Sequence, residues 1–193
     1  MVGAESRRGN EVHPFSPSGR LALGGPGQAC EDHRMTDRME VQRAIAASPE
    51  EVFRVVADPQ GQVTIDSSGM LMSAEPGAIT KVGDEFTIHM DREALNDIPA
   101  LGLYDVTNVI IAFEADREIA WAVTGGGRRF GHFYGYRLEP IDAGTLVTTY
   151  CDWSGVEDEQ LKGRFPIVPE SALRATLGIL ARTVAPGKPR PQV

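Results

Sequence analysis

From Met39 to Ala44 the side chains alternate, with Met39, Val41 and Arg43 on one side and Glu40, Gln42 and Ala44 on the other. Such period-two alternation predicts a first β-strand. The pattern changes at SPEEVFRVVADP (48–59), where Val52, Phe53, Val55 and Val56 fall on one helical face. Ser48 is placed to cap that helix, Pro49 suits its first position, and Glu51 completes a capping box. Asp58-Pro59 ends it. Residues 60–81 are broken by Gly, Pro and Ser and read as a short helix or loop, then a strand around 70–74, then a turn. VGDEFTIHMD (82–91) reads as a strand, and REALNDIPALGL (92–103) as a loop or short helical insertion. Four strands then follow one another: 104–116, 117–124, 130–140 and 145–155. GGGRR (125–129) links two of them as a flexible connection, and Asp142-Ala143-Gly144 gives a hairpin signal. Residues 167–186 predict a helix, with Leu173, Leu177, Leu180, Ala181 and Val184 in one stripe and Pro186 as its stop.

This order is strand, helix, loop, a run of antiparallel strands, then one long helix. It implies an α+β domain. An antiparallel sheet of this size must cover its apolar face. The C-terminal stripe is the only long cover in the sequence, so the sheet is expected to curl around that helix.

Residues 1–38 differ from the rest. They are rich in Gly, Pro, Ser and Arg, with LAL as the one apolar cluster. Such a segment buries too little surface to offset its ordering entropy, and is expected to be a disordered tail. The domain is then expected over 39–186, with a loose tail at 187–193.

Composition narrows the function classes. The chain has 193 residues, 41% hydrophobic and 24% charged, enough for one domain with a real core. Its formal net charge is -8, which argues against nucleic-acid binding as the main activity. Two cysteines, Cys30 and Cys151, lie far apart and make neither a disulfide framework nor a CxxC metal site. A reducing cytoplasm is the simplest location. No apolar run reaches the length of a bilayer-spanning helix, and no signal-peptide stretch opens the chain, so no integral membrane association is expected.

Several stretches together resemble the helix-grip, or START-like (SRPBCC), superfamily: IAASPEEVFRVVADP, VGDEF, REIAW, and YRLEPIDAGTLVTTYCDWSG before a terminal helix. That group includes START lipid-transfer domains, polyketide cyclases and aromatases, and birch-pollen-allergen-like proteins. The resemblance spans about 39–186 and is specific for the fold rather than for any activity. Many members carry Trp just after the ADP element, whereas here QGQVTIDSSG has none. The resemblance implies a deep cavity between sheet and long helix, with a lipid, polyketide or other hydrophobic small molecule as partner.

FGHFYGYRLEP supplies the sharpest chemistry. In a strand His132, Tyr134, Tyr136 and Leu138 share a face, while Phe133, Gly135, Arg137 and Glu139 share the other. The face ending in Leu138 should point inward, which puts a histidine and two tyrosines on a cavity wall. Such polar handles in an apolar lining suit a ligand site, although ordinary packing with backbone partners explains them as well. His132 is the candidate general acid or base, its free pKa lying near neutrality. Trp121 and Trp153 are candidate stacking surfaces, alternatively core residues, and Tyr104 is a candidate at the opening. His89 shares a face with Thr87 and Glu85 and reads as solvated. Asp66 and Asp91 are possible pocket carboxylates, although solvated aspartates are the simpler reading. Cys151 reads as a small buried hydrophobe, and Arg128 and Arg129 as rim residues able to meet an anionic head group. No cluster has metal spacing, and no cofactor is expected.

Two main functions remain open at this level, with a weaker third. One is a carrier or sensor that holds a hydrophobic molecule. The other is an enzyme of the cyclase, aromatase or dehydratase type using His132 and a tyrosine. An interaction module working through its outer surface is a third. The absence of a strong catalytic motif favours binding.

Overall fold

The computed structural model of the chain describes residues 37–93, 95 and 100–192. Most of the expected tail, with His13, Cys30 and His33, lies outside them, as does part of the 92–103 segment. Eleven elements follow in order. The strands are β1 (Arg38–Ile45), β2 (Leu71–Ala74), β3 (Glu85–Asp91), β4 (Leu103–Glu114), β5 (Glu118–Gly125), β6 (Arg128–Ile141) and β7 (Gly144–Asp152). The helices are α1 (Pro49–Val56), α2 (Pro59–Ile65), α3 (Glu159–Lys162) and α4 (Glu170–Val184).

All seven strands form one antiparallel sheet in the order β1-β7-β6-β5-β4-β3-β2. The strands from β2 to β7 meander, and β1 joins the sheet beside the last strand. The helices α1 and α2 therefore carry the chain from one edge of the sheet to the other. With α4 they cover its concave face, which is the α+β helix-grip architecture expected from the sequence.

The local signals behave as physical chemistry requires. Ser48 Oγ accepts from the Glu51 amide at 3.3 Å while the Ser48 amide donates to the Glu51 carboxylate at 2.8 Å, so both halves of the capping box form. Gly126 and Gly127, at φ 57° and 76°, make the two-residue β5–β6 turn, where both central positions need positive φ. GGGRR is thus a tight hairpin rather than a loose connection. The short helix α3, capped by Asp158, had no periodic signal of its own.

The helix α4 buries Leu173, Thr176, Leu177 and Leu180. Leu177 and Leu180 are at most 1% exposed and join Val41, Ile45, Val147 and Leu138 in the main core. Each such side chain contributes roughly 1.5–3 kcal/mol by leaving water. The helix packs chiefly on β1, with lesser contact to β7, α1 and α2. The inner face of β3–β6 therefore has less helix against it, and that asymmetry leaves a space beneath the sheet.

Candidate functional site

The space is a cavity of about 410 Å³, within the size range of small-molecule sites. Its walls are mostly apolar, with Ile88, Met90, Val106 and Val123 from the sheet and Leu173 from α4 among them. The loop before β2 closes one side. Ser67 Oγ donates to the Ala172 carbonyl at 2.6 Å and lies 3.0 Å from Thr176 Oγ1, which ties that loop to α4.

His132, Tyr134 and Tyr136 all stand on this wall. A bulge on β6 positions the first of them. Ala122 pairs with Phe133 and Thr124 with Arg129, so three β6 residues oppose one β5 residue. Within the bulge Gly131 has φ 87°, and a Cβ there would sit 2.1 Å from the Gly155 carbonyl oxygen, so only glycine fits. The His132 ring lies among Phe165, Tyr134 and Phe130, with centroids at 4.9, 5.8 and 6.1 Å. Its side chain is 7% exposed and Nδ1 has no hydrogen-bond partner. Burial disfavours the imidazolium and lowers the pKa to about 4, so the ring is neutral at neutral pH.

The tyrosines are held rather than poised. Tyr134 pairs with Cys151 across β6 and β7. Tyr136 pairs with Thr149 on the same two strands. Burial raises both phenols above their ordinary value, so neither is a ready proton donor. Trp121 also lines the cavity, tilted on Tyr136 at 6.0 Å and edge-on to Phe86 at 6.2 Å. Tyr104 stands on the wall near the start of β4.

Trp153 does not line the cavity. It stacks on Phe165 at 5.5 Å and 14° within a separate small core with Cys151 and Val156. Trp153 keeps the side of Cys151, but at this end of β7 Val156 and Phe165 pack over that side in place of the open space. It supports Phe165, which in turn touches His132.

Of the other candidates, Asp66 is on the wall but fully engaged. Its carboxylate accepts from the Ser68 amide and hydroxyl and the Gly69 amide at 2.8–3.0 Å, which folds the loop before β2. Asp91 is off the wall and accepts from the Glu93 amide at 2.7 Å. His89 is exposed, with Nδ1 2.7 Å from the Asp105 carboxylate. The Cys151 thiol is 1% exposed and pushed up to about 12 by burial, which makes it a poor nucleophile. Arg128 and Arg129 line a separate outer groove with Glu157 and Asp158, and Phe130 and Leu161 border both spaces. Among the described residues no group of three or more His, Cys, Asp or Glu is placed to hold a metal ion.

The sequence reading missed Asn108, Gln62, Arg92 and Arg164, all on the wall. Gln62 Nε2 is spent on the Val56 carbonyl at 2.9 Å. Arg92 is 4% exposed, with Nη1 2.8 Å from Met70 Sδ. Asn108 is 4% exposed and its Oδ1 has no partner. Its signal was present, because Val106, Asn108 and Ile110 alternate inward through a β-branched run, and a polar residue in that register is a buried one.

Comparison with known proteins agrees with this geometry. The family described as polyketide cyclase / dehydrase and lipid transport matches residues 36–185. The chain belongs to that family. Solved structures of the same fold include protein Ms6760 from Mycobacterium smegmatis, at TM-score 0.57 and 13% identity, covering 77% of this chain and 91% of that one. Protein CV1439 from Chromobacterium violaceum follows at 0.54 and 16%, covering 78% and 98%. An AHSA1-like protein from Aeromonas hydrophila gives 0.50 and 16%, covering 76% and 91%. No curated protein sequence matches the chain. No helix among the described residues is long and apolar enough to cross a membrane.

Proposed function

We propose that the chain binds a hydrophobic small molecule, lipid-like or polyketide-like, in the cavity between the sheet and α4. The observation that carries this reading is the apolar space of about 410 Å³ in which a few polar side chains converge. Ligand sites have that composition, since apolar walls supply affinity and isolated polar groups fix orientation. His132, Tyr134, Tyr136, Trp121 and Tyr104 are the contacting side chains in this reading. Trp153 acts only through Phe165. The binding domain is residues 39–186, and the location cytoplasmic.

Catalysis by His132 with a tyrosine is the second reading, and the chemistry disfavours it. An imidazole whose pKa is about 4 is unprotonated at neutral pH, so it cannot serve as acid, and as a base it is weak. The neighbouring phenols are shifted the other way, raised by burial. Native mass spectrometry of the purified full chain, followed by solvent extraction, tests the binding reading. The expected result is a retained apolar molecule near one per chain. Protein that emerges empty and also fails to bind the apolar dye N-phenyl-1-naphthylamine overturns it.

A further inference from the structure

Beside the cavity, and separate from it, a groove of about 460 Å³ opens on the outer surface. Its floor is a close contact of two glycines. A Cβ on Gly131 would lie 2.1 Å from the Gly155 carbonyl oxygen, and a Cβ on Gly155 would lie 2.8 Å from the Gly131 carbonyl oxygen. The two backbones therefore meet with no side chain between them. From that contact two walls diverge. Arg128 and Arg129, at the start of β6, stand on one, and Glu157 and Asp158, just before α3, on the other. Phe130 and Leu161 give the groove an apolar border.

The walls carry opposite charges that do not close on each other. No ion pair or side-chain hydrogen bond joins Arg128, Arg129 or Glu157 to a described residue. Asp158 is occupied, since its Oδ1 accepts from the Gln160 and Leu161 amides at 2.9 and 3.1 Å to cap α3. The neighbouring Lys162 shows the ordinary alternative, pairing with Asp37 at 2.7 Å. Arg128, Arg129 and Glu157 are all exposed, so a solute reaches them. A lone anion in the groove would meet guanidinium groups on one side and a carboxylate on the other, and a lone cation would meet the converse. A molecule that carries both charges finds a partner on each wall. Guanidinium groups bind carboxylates in a bidentate fork, and the Glu157 carboxylate accepts from an ammonium group.

We propose that the outer groove is a second ligand site, distinct from the cavity, for the zwitterion of an α-amino acid with an apolar side chain. Its carboxylate meets Arg128 and Arg129, its ammonium meets Glu157, and its side chain lies against Phe130 and Leu161.

Three matched probes test this on the full chain at pH 7, followed by amide chemical shifts in NMR titrations. They are L-phenylalanine, 3-phenylpropanoate, which lacks the ammonium, and 2-phenylethylamine, which lacks the carboxylate. Phenylalanine is expected to shift the Gly131 and Gly155 amides and to bind at least fivefold more tightly than either partial probe, a modest factor because exposed charge pairs are weak. Glu157→Gln is expected to remove most of that advantage and to tighten 3-phenylpropanoate. The double variant Arg128→Gln, Arg129→Gln is expected to remove it too and to tighten 2-phenylethylamine. These opposite signs separate a site for both charges from a structural role, and both variants should keep the wild-type melting temperature because the three residues are exposed. Equal affinity for the three probes, or no shift at Gly131 and Gly155 at the solubility limit of phenylalanine, overturns the proposal. Tighter binding of sn-glycero-3-phosphoethanolamine, which pairs an ammonium with a phosphate and has no apolar group, overturns the amino-acid assignment in favour of a phospholipid head group. Displacement of N-phenyl-1-naphthylamine by phenylalanine places the ring in the main cavity and overturns the separate site, while leaving the cavity reading intact.

Discussion

His132 makes folding sensitive to mild acid, and the effect has a definite sign and size. Its pKa falls from 6.5 in the unfolded chain to about 4 in the folded one, because burial among three aromatic rings excludes the imidazolium. Between those values the unfolded state holds a proton that the folded state lacks. Stability therefore rises with pH through that window: it is intact above 6.5 and is lost as pH falls toward 4. One pKa unit corresponds to about 1.4 kcal/mol, so the whole effect is about 3 kcal/mol, and about 2 kcal/mol of it is lost between pH 7 and pH 5. The perturbation is His132→Phe, which keeps a flat ring in the aromatic enclosure and cannot titrate. Urea unfolding followed by tryptophan fluorescence gives the free energy at both pH values for both proteins. Wild type is expected to lose about 2 kcal/mol more than the variant between pH 7 and pH 5. The comparison cancels the carboxylates, which are common to both. Equal losses in the two proteins would refute the argument, since they would mean that His132 is free to protonate in the folded state.

Three further outcomes follow from the geometry. Gly135→Ala is expected to destabilise by about 1–3 kcal/mol in thermal unfolding, because a Cβ there would lie 2.5 Å from the Tyr150 ring. That ring cannot easily yield, being pinned by its hydroxyl bond to Glu118 and by Arg38 and Arg137 over its faces. Ser48→Ala removes the hydroxyl that accepts from the Glu51 amide and is expected to lower stability by about 1 kcal/mol in the same assay. In a Cys30→Ser background, Cys151 is expected to react with a disulfide reagent at pH 8 only as the protein unfolds, since its thiol is buried and pushed up to about 12. Rapid stoichiometric labelling of native protein would contradict its placement.

The fold was legible because its signals are local and periodic. Ser48, Pro49 and Glu51 declared α1, and the leucine stripe of α4 declared the helix that covers the sheet. Alternation in β6 put His132, Tyr134 and Tyr136 on one face, and the bulge at Gly131 changes the pairing without separating them. Other features depend on where strands end and which strands meet, and a single stretch of sequence does not encode that. Trp153 packs beside Cys151 as alternation expects, but Val156 and Phe165 cover that end of the sheet. Asn108 lines the cavity through the inward register of β4, which a count of catalytic residue types passes over. Asp66, read more simply as solvated than as a pocket carboxylate, does reach the wall, but its oxygens are consumed by the turn after α2. The hairpin at Gly126-Gly127 shows the opposite case, where glycine spelled a tight turn that reads equally as slack.

The central claim is that an apolar molecule enters the space beneath the sheet, and Trp121 can report it directly. The chain has two tryptophans, so Trp153→Phe leaves Trp121 on the cavity wall as the single emitter. Titration of that variant with N-phenyl-1-naphthylamine should quench Trp121 emission and brighten the dye together. Both signals should saturate at one dye per chain. A dye signal that rises without saturating, or that saturates while Trp121 emission stays constant, would place binding elsewhere and contradict the account.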